Sequence, residues 1–123
     1  MQGNNNSLRW NETSGNGYAT GTAVDFGIGV VSGDGNIIEA NTAIGNSNGI
    51  VVFPAATNNQ IRQNVAVGNP PIQQANSLPQ ATGVDIWDQS ASANNNFLGN
   101  LCITSINAPC PTSTEAVPRK PTP

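Results

Sequence analysis

The sequence predicts an all-β solenoid, a fold in which short strands wind through repeated coils. Two observations predict this class: asparagine recurs at fixed intervals, and a short β-branched strand opened by glycine follows each of the first three asparagine motifs. Nineteen of the 123 residues are asparagine and only 9% are charged. An ordinary soluble domain has about 25% charged residues. Amides therefore replace charges here, and a chain of this length can build one core.

The asparagine motif has the pattern Asn-x-apolar-x-x-Asn-x-x-x-Gly-Asn, and its fourth copy decays after the second asparagine. The copies begin at Asn6, Asn36, Asn59 and Asn95. The strands that follow the first three begin at Gly27, Gly49 and Gly83. Most variation in length falls between motif and strand, where residues 17–26 and 70–82 are inserted. Without these insertions the repeat has about 22 residues with turn residues at each corner, which leaves no room for a helix.

From roughly Asn6 to Cys110, these motifs resemble the right-handed parallel β-helix, the pectate-lyase-like superfold. The resemblance implies an all-β, right-handed parallel β-helix solenoid of about four coils over residues 1–110, with two loop insertions at one corner. A Pro/Thr-rich extended tail is expected over residues 111–123. Polysaccharide lyases, glycoside hydrolases, epimerases and phage tailspikes share this superfold, so the resemblance implies an architecture and no particular activity.

The stacking of coils explains why asparagine is so frequent. Equal positions of successive coils lie about 4.8 Å apart, so that one residue type forms a column. Asparagine tolerates a sharp corner, and its amide both donates to and accepts from the asparagines above and below it. We predict two structural ladders, Asn6/Asn36/Asn59/Asn95 and Asn11/Asn41/Asn64/Asn100.

The same stacking assigns side chains to the inside and the outside. The predicted inward columns are Leu8/Ile38/Ile61/Phe97, Thr13/Ala43/Ala66/Cys102, Ile28/Ile50/Val84 and Val30/Val52/Ile86. One outward column places Glu39 between Arg9 and Arg62. We interpret these three residues as surface ion pairs, which contribute about 0–1 kcal/mol per pair.

Two further outward columns are predicted beside the insertions, Gly29/Val51/Asp85 and Val31/Phe53/Trp87. They predict a ligand-binding face made of Phe53, Asp85, Trp87 and Asp88. Aromatic rings stack on pyranose rings and carboxylates bind hydroxyls, so the expected partner is a polysaccharide. The alternative is that an insertion covers both aromatic rings as a small satellite core.

Catalysis has weaker support in the sequence. Asp85 and Asp88 are the weak candidates for a pair of catalytic acids. No metal site is assigned, although resemblance to the lyases of this superfold raises Ca²⁺ as a cofactor. The chain has no histidine, which excludes Ser-His and Cys-His nucleophile pairs and histidine metal sites. Four cations cannot form the basic stripe that nucleic acid or an anionic membrane requires.

Cys102 and Cys110 are the only cysteines. They predict a disulfide that holds the C-terminal segment over the last coil, in an oxidising compartment. The alternative is a buried Cys102 with a free Cys110. We therefore expect a secreted, cell-surface or periplasmic protein whose signal peptide lies outside this sequence.

No capping element precedes Asn6, which predicts an uncapped N-terminal end that receives missing N-terminal coils or associates with a second copy. We interpret the chain as the C-terminal portion of a longer bacterial β-helix protein. The expected function is a non-catalytic exported module with a structural or carbohydrate-binding role. The alternatives are a fragment or remnant of a polysaccharide lyase or glycoside hydrolase, and a self-assembling structural solenoid.

Overall fold

The structure is a computed structural model that describes residues 1–16, 26–69, 83–90 and 94–110, and these residues form twelve short β-strands and no helix. The strands are β1 (Ser7–Arg9), β2 (Glu12–Thr13), β3 (Ile28–Gly33), β4 (Ile37–Glu39), β5 (Thr42–Ile44), β6 (Ile50–Ala56), β7 (Gln60–Arg62), β8 (Val65–Val67), β9 (Ile86–Asp88), β10 (Asn96–Leu98), β11 (Leu101–Cys102) and β12 (Ser105–Ile106). The predicted tail over 111–123 and most of both insertions lie outside the described residues.

Three parallel sheets form the walls of the solenoid. Their strand orders are β1-β4-β7-β10, β2-β5-β8-β11 and β3-β6-β9-β12, which we call the first, second and third sheets. Each sheet takes one strand from each of the four coils, and neighbouring strands pair in parallel. The predicted right-handed parallel β-helix solenoid is confirmed.

Columns of inward side chains form a narrow core between the three sheets. In the first sheet the column is Leu8/Ile38/Ile61/Phe97, and in the second sheet it is Thr13/Ala43/Ala66/Cys102, both as predicted. The middle members Ile38 and Ile61 are completely buried. Leu8 and Phe97 are only partly buried because each has a neighbouring coil on one side. The core is therefore continuous along the axis and weakest in its terminal coils.

A left-handed backbone residue makes the corner between the first and second sheets. The residues at this corner are Trp10, Ala40, Gln63 and Gly99, with φ angles of 60°, 58°, 56° and 68°. The left-handed region costs a residue with a Cβ about 1–2 kcal/mol. Three of these four residues have a Cβ, so the stacking of coils must offset this strain at three corners. The bend ends each strand of the first sheet and places the next residue, an asparagine, at the inside of the corner.

The third coil departs from the predicted register of the third sheet. Ile50 pairs with Ile86, Val51 with Trp87, and Val52 with Asp88. The predicted columns Ile28/Ile50/Val84, Val30/Val52/Ile86, Gly29/Val51/Asp85 and Val31/Phe53/Trp87 are therefore wrong at their third members by two residues. The physical reason is that Gly83 is not equivalent to Gly49. The Ile50 N–H donates to Asp85 O at 2.8 Å, so Asp85 lies opposite Gly49 and is turned into a corner instead of outward.

Candidate functional site: the two ends of the asparagine ladder

The asparagine ladder has a direction, which is clearest at Asn64. Its N–H and Nδ2 both donate to Oδ1 of Asn100, at 2.9 and 3.0 Å. Its own Oδ1 accepts the N–H and Nδ2 of Asn41, at 2.9 and 3.0 Å. Nδ2 of Asn64 also donates to Ile38 O at 2.9 Å. Each inner asparagine thus directs its Oδ1 acceptor and one Nδ2 hydrogen toward the preceding coil, and its N–H and second Nδ2 hydrogen toward the following coil.

The other corners have the same polarity. In the first column the donation runs from Asn36 to Asn59 and on to Asn95. A third ladder stands at the corner between the second and third sheets and consists of Asn16, Asn46 and Asn69. Almost all members in the inner coils are completely buried. Because the direction is common to all three columns, the two ends of the solenoid are chemically different.

At the N-terminal end the ladders finish in the exposed residues Asn6, Asn11 and Asn16. Among the described residues, no donor reaches the Oδ1 of any of these three side chains. The edge of β1 is open as well: Ile37 N–H donates to Asn6 O at 2.8 Å and Ser7 lies opposite Ile37. In a parallel pair, this arrangement turns the N–H and C=O of Ser7 away from β4. We call this surface the open end.

A cavity of about 610 Å³ lies within the open end. Its lining includes the inward side chains of the first coil, Leu8, Thr13 and Ile28, together with Met1 and Phe26. The Oγ1 atom of Thr13 is buried there without a hydrogen-bond partner in the described part of the chain. Leu8 beside this cavity is only partly buried, whereas its equivalents Ile38 and Ile61 are completely buried between neighbouring coils.

The first residues already run alongside the third sheet. The amino group of Met1 donates to Gly29 O at 2.7 Å, and Val31 N–H donates to Met1 O at 2.8 Å. These two bonds place Met1 opposite Val30 as in a parallel strand pair. Gly33 lies against Gly3, where an added Cβ would overlap Gly3 O. Met1 thus occupies the position that Val30 and Val52 hold in later coils.

At the C-terminal end, the first ladder is closed by a serine. Nδ2 of Asn95 donates to Ala56 O at 2.8 Å and to Ser90 Oγ at 3.1 Å. The second bond replaces the donation that an inner asparagine makes to the next coil. Ser90 is itself held by its N–H, which donates to Asp88 Oδ1 at 2.9 Å. Asp88 and Ser90 therefore act together as the cap of this column.

The third ladder is closed by a carboxylate in place of an asparagine. Asp85 Oδ1 accepts the Nδ2 and N–H of Asn69 at 2.8 and 3.3 Å. Its Oδ2 accepts the N–H groups of Ile103 and Thr104 at 3.0 and 3.1 Å. At the equivalent position of the second coil, a Cβ on Gly49 would overlap Asp85 O and lie 2.9 Å from Asn69 Nδ2. Asp85 has room for a side chain because the fourth motif has decayed and no asparagine follows.

A disulfide covers the remaining part of this end. Cys102 and Cys110 are bonded, with their Cα atoms 6.0 Å apart, so the predicted disulfide is present. Ala108 and Cys110 are buried and belong to the core cluster that contains Cys102. The segment after β12 therefore lies over the last coil.

Asn100 is buried in this coil, and its N–H and second Nδ2 hydrogen meet no acceptor among the described residues. We call this surface the closed end.

The predicted ligand-binding residues do not form one outward cluster. Asp85 and Asp88 are both only 2% exposed and accept the structural hydrogen bonds described above. Trp87 lies in a column with Val51 and is partly buried. Phe53 contacts the insertion residue Phe26 edge to face, with ring centroids 5.5 Å apart. The predicted common face is wrong, because the register of the third coil differs, and the covering of Phe53 follows the alternative. A carbohydrate-binding role for Phe53 and Trp87 stays a prediction, as does a catalytic role for the two acids.

The charged column is where the sequence places it. Arg9 Nε lies 2.8 Å from Glu39 Oε1, and Arg62 Nε lies 2.9 Å from Glu39 Oε2. All three side chains are partly exposed, so solvent screens both pairs. Across the described ranges, no group of three or more His, Cys, Asp or Glu residues could hold a metal ion. The same part of the chain contains no helix that could cross a membrane.

The stacked parallel sheets and the buried asparagine ladder define the protein as a β-helix solenoid. The chain belongs to the right-handed β-helix family, whose model, described as "right handed beta helix region", matches residues 1–102. No curated protein and no solved structure matches the chain at a significant level. Membership of this family specifies the architecture, and the activity must be argued from the surfaces of this chain.

Proposed function

We propose that this protein is an exported, non-catalytic structural module that closes a β-helix at one end and accepts a further coil at the other. One observation carries the proposal: the three asparagine ladders finish in unused acceptors at the open end, whereas Ser90, Asp85 and the disulfide-bonded segment occupy the closed end. Solenoids need such terminal units, because an uncovered edge strand pairs with other chains.

The open end suits a coil of the same kind as the coils below it. Asn6, Asn11 and Asn16 would each accept a backbone N–H and an Nδ2 from an asparagine above, as Asn41 does from Asn11. Each hydrogen bond would contribute about 0.5–1.5 kcal/mol. The same coil would cover the cavity above Leu8 and Ile28 and give Ser7 strand partners. The added coil would therefore stabilise the fold both by hydrogen bonds and by burying apolar surface.

The disulfide supports export. Both sulfur-bearing residues are almost inaccessible, Cys102 at 0% and Cys110 at 1% exposure, so the bond has a structural place in the core. Structural disulfides form and persist in oxidising compartments such as the periplasm or the cell exterior. We therefore place the protein outside the cytoplasm.

The test adds one coil to the open end. A second copy of the segment Asn36–Val51 is fused directly before Met1, because Met1 already lies opposite Val30 and would continue that coil. We expect the thermal midpoint to rise by about 5 °C or more, which corresponds to about 1 kcal/mol in a domain of this size. The matched control carries the same fusion with the three added ladder asparagines changed to serine, and it should gain little. An unchanged or lower midpoint for the asparagine fusion would contradict the proposal.

Polysaccharide binding is the second candidate. Trp87 is only partly buried and lies beside Ile106, which is 37% exposed, in the same outward column. A partly exposed aromatic ring can stack on the apolar face of a sugar. A glycan array should detect binding that Trp87→Ala removes and that Trp10→Ala, at a freely exposed tryptophan of the open end, leaves intact. Equal binding by both variants and the unaltered chain would reject Trp87 as the site.

A further inference from the structure

The direction of the ladder limits what can pair with the open end. Asn6, Asn11 and Asn16 offer acceptors, so two open ends brought face to face would place acceptor against acceptor. A partner must instead present N–H and Nδ2 donors at the corners of a coil. At the three ladder corners, side-chain oxygen atoms brought together would lose their water and gain no donor. Dimerisation through two open ends is therefore disfavoured.

The protein itself carries a coil with the required donors. The N–H and second Nδ2 hydrogen of Asn100 have no acceptor in the described part of the chain, and in Asn64 the same groups bond the next coil. The strands β10 and β11 occupy the same columns as β1 and β2. Phe97 of one copy would stack on Leu8 of the second copy, as it stacks on Ile61 within its own chain. Along the first and second sheets, the last coil of one molecule thus matches the open end of another, while Met1 already pairs with β3 in the third sheet.

The disulfide-bonded segment covers this matching surface. Ala108 is completely buried and Cys110 is 1% exposed, and both pack with Cys102 over the end of the core. Ser105 and Ile106 anchor the start of the segment as β12, opposite Ile86 and Trp87. Asn100 is only 1% exposed beneath these residues. A second copy cannot reach its donors while the segment is held in place.

We propose that the segment Ser105–Cys110 is a stop for self-assembly, and that opening the Cys102–Cys110 bond allows the last coil to pair head to tail with the open end of a second copy. The inference rests on the proposed function, because it names the partner of the same open end. Ser90 still closes the ladder that ends in Asn95, and Asp85 still closes the ladder that ends in Asn69. The ladder that ends in Asn100 and the apolar core therefore supply the contact.

Opening the bond requires a dithiol reductant. Cys102–Cys110 takes up two electrons and two protons and becomes two thiols, while the dithiol is oxidised to its disulfide. The double variant Cys102→Ala/Cys110→Ser gives the open state without a reductant. Alanine suits position 102, because the same column already contains Ala43 and Ala66.

The experiment compares the unaltered 123-residue chain with a double and a triple variant by sedimentation velocity over a dilution series. The unaltered oxidised chain should remain monomeric, and the double variant should at least double its weight-average mass as concentration rises. Adding Ser7→Pro to the double variant should restore the monomer, because proline removes an edge N–H that the coil does not use. Mixing this triple variant with the oxidised unaltered chain should give a dimer and nothing larger.

Circular dichroism of each variant shows whether the β-helix is retained. If the double variant loses its fold, dithiothreitol applied to the unaltered chain in native buffer supplies the second route to the open state. A folded open form that stays monomeric, or an assembly that Ser7→Pro does not interrupt, would overturn the inference. If the open form stays monomeric while the fusion before Met1 is stabilised, the proposed function stands and only the self-pairing fails.

Discussion

The two ends of this solenoid start from the same repeat and finish in opposite ways. At the open end, the ladders stop in exposed asparagines beside a cavity. At the closed end, Ser90 accepts from Asn95, Asp85 accepts from Asn69, and a disulfide-bonded segment covers the core. The difference shows that a β-helix can be capped one column at a time by single side chains.

The inner ladder and its open end should respond very differently to the same substitution. Asn64→Ala leaves two donors on Asn41 and the acceptor Ile38 O without a partner in a buried corner, and Asn100 Oδ1 keeps only the backbone N–H at position 64. We expect a loss of about 3–5 kcal/mol in the free energy of unfolding. Asn11→Ala removes the same side chain from an exposed position and should cost under about 1 kcal/mol. Urea unfolding of the two variants measures the contrast, and equal losses would mean that the ends do not differ.

The carboxylate cap should be almost as sensitive as the inner ladder. Asp85→Ala removes the acceptor of four N–H donors, from Asn69, Ile103 and Thr104. We expect a loss of about 3 kcal/mol. Asp85→Asn keeps the shape and one acceptor oxygen but turns an NH₂ group toward donors, so its loss should lie between that of Asp85→Ala and zero. Chemical denaturation provides both values. An asparagine variant as unstable as the alanine variant would show that shape contributes nothing.

The disulfide should stabilise the closed end by an intermediate amount. Closing a loop with a sequence separation of 8 residues corresponds to about 2–3 kcal/mol in the chain-entropy model. Cys102→Ala/Cys110→Ser should lose this amount at concentrations where the chain is monomeric. Trp10→Ala, at a side chain that is 83% exposed beside the open end, should change stability by no more than about 0.5 kcal/mol. Equal losses of unfolding free energy in the two variants would contradict the difference between the closed and the open end.

The charged column should matter least. Glu39→Gln breaks both pairs with Arg9 and Arg62, but all three side chains are partly exposed. We expect a loss of about 0–1 kcal/mol that shrinks as salt is added. Denaturation at low and high ionic strength measures it. A loss that is larger and independent of salt would indicate that the pairs act as part of the buried structure.

The sequence predicts most of this fold because the first two sheets lie inside the asparagine motif, where spacing never changes. Leu8, Ile38, Ile61 and Phe97 could be aligned by counting from their asparagines. The third sheet follows an insertion of variable length, and Gly83 was a false reference for its register. The cap at Asp85 could not be predicted, since its carboxylate replaces an asparagine from a different point in the coil. Ser90 could not be predicted as a cap either, because it lies outside the asparagine motif.

Amide hydrogen exchange tests the difference between the ends most directly. In the oxidised chain, we predict that the N–H and Nδ2 groups of Asn41 and Asn64 are strongly protected, because both amides are buried and donate within the ladder. Asn69, capped by Asp85, should be protected to the same degree. Asn11 should exchange faster than these three, because its donors bond Asn41 from an exposed position. Protection of Asn11 equal to that of Asn64 would contradict an open end, and rapid exchange of Asn69 would contradict a closed one.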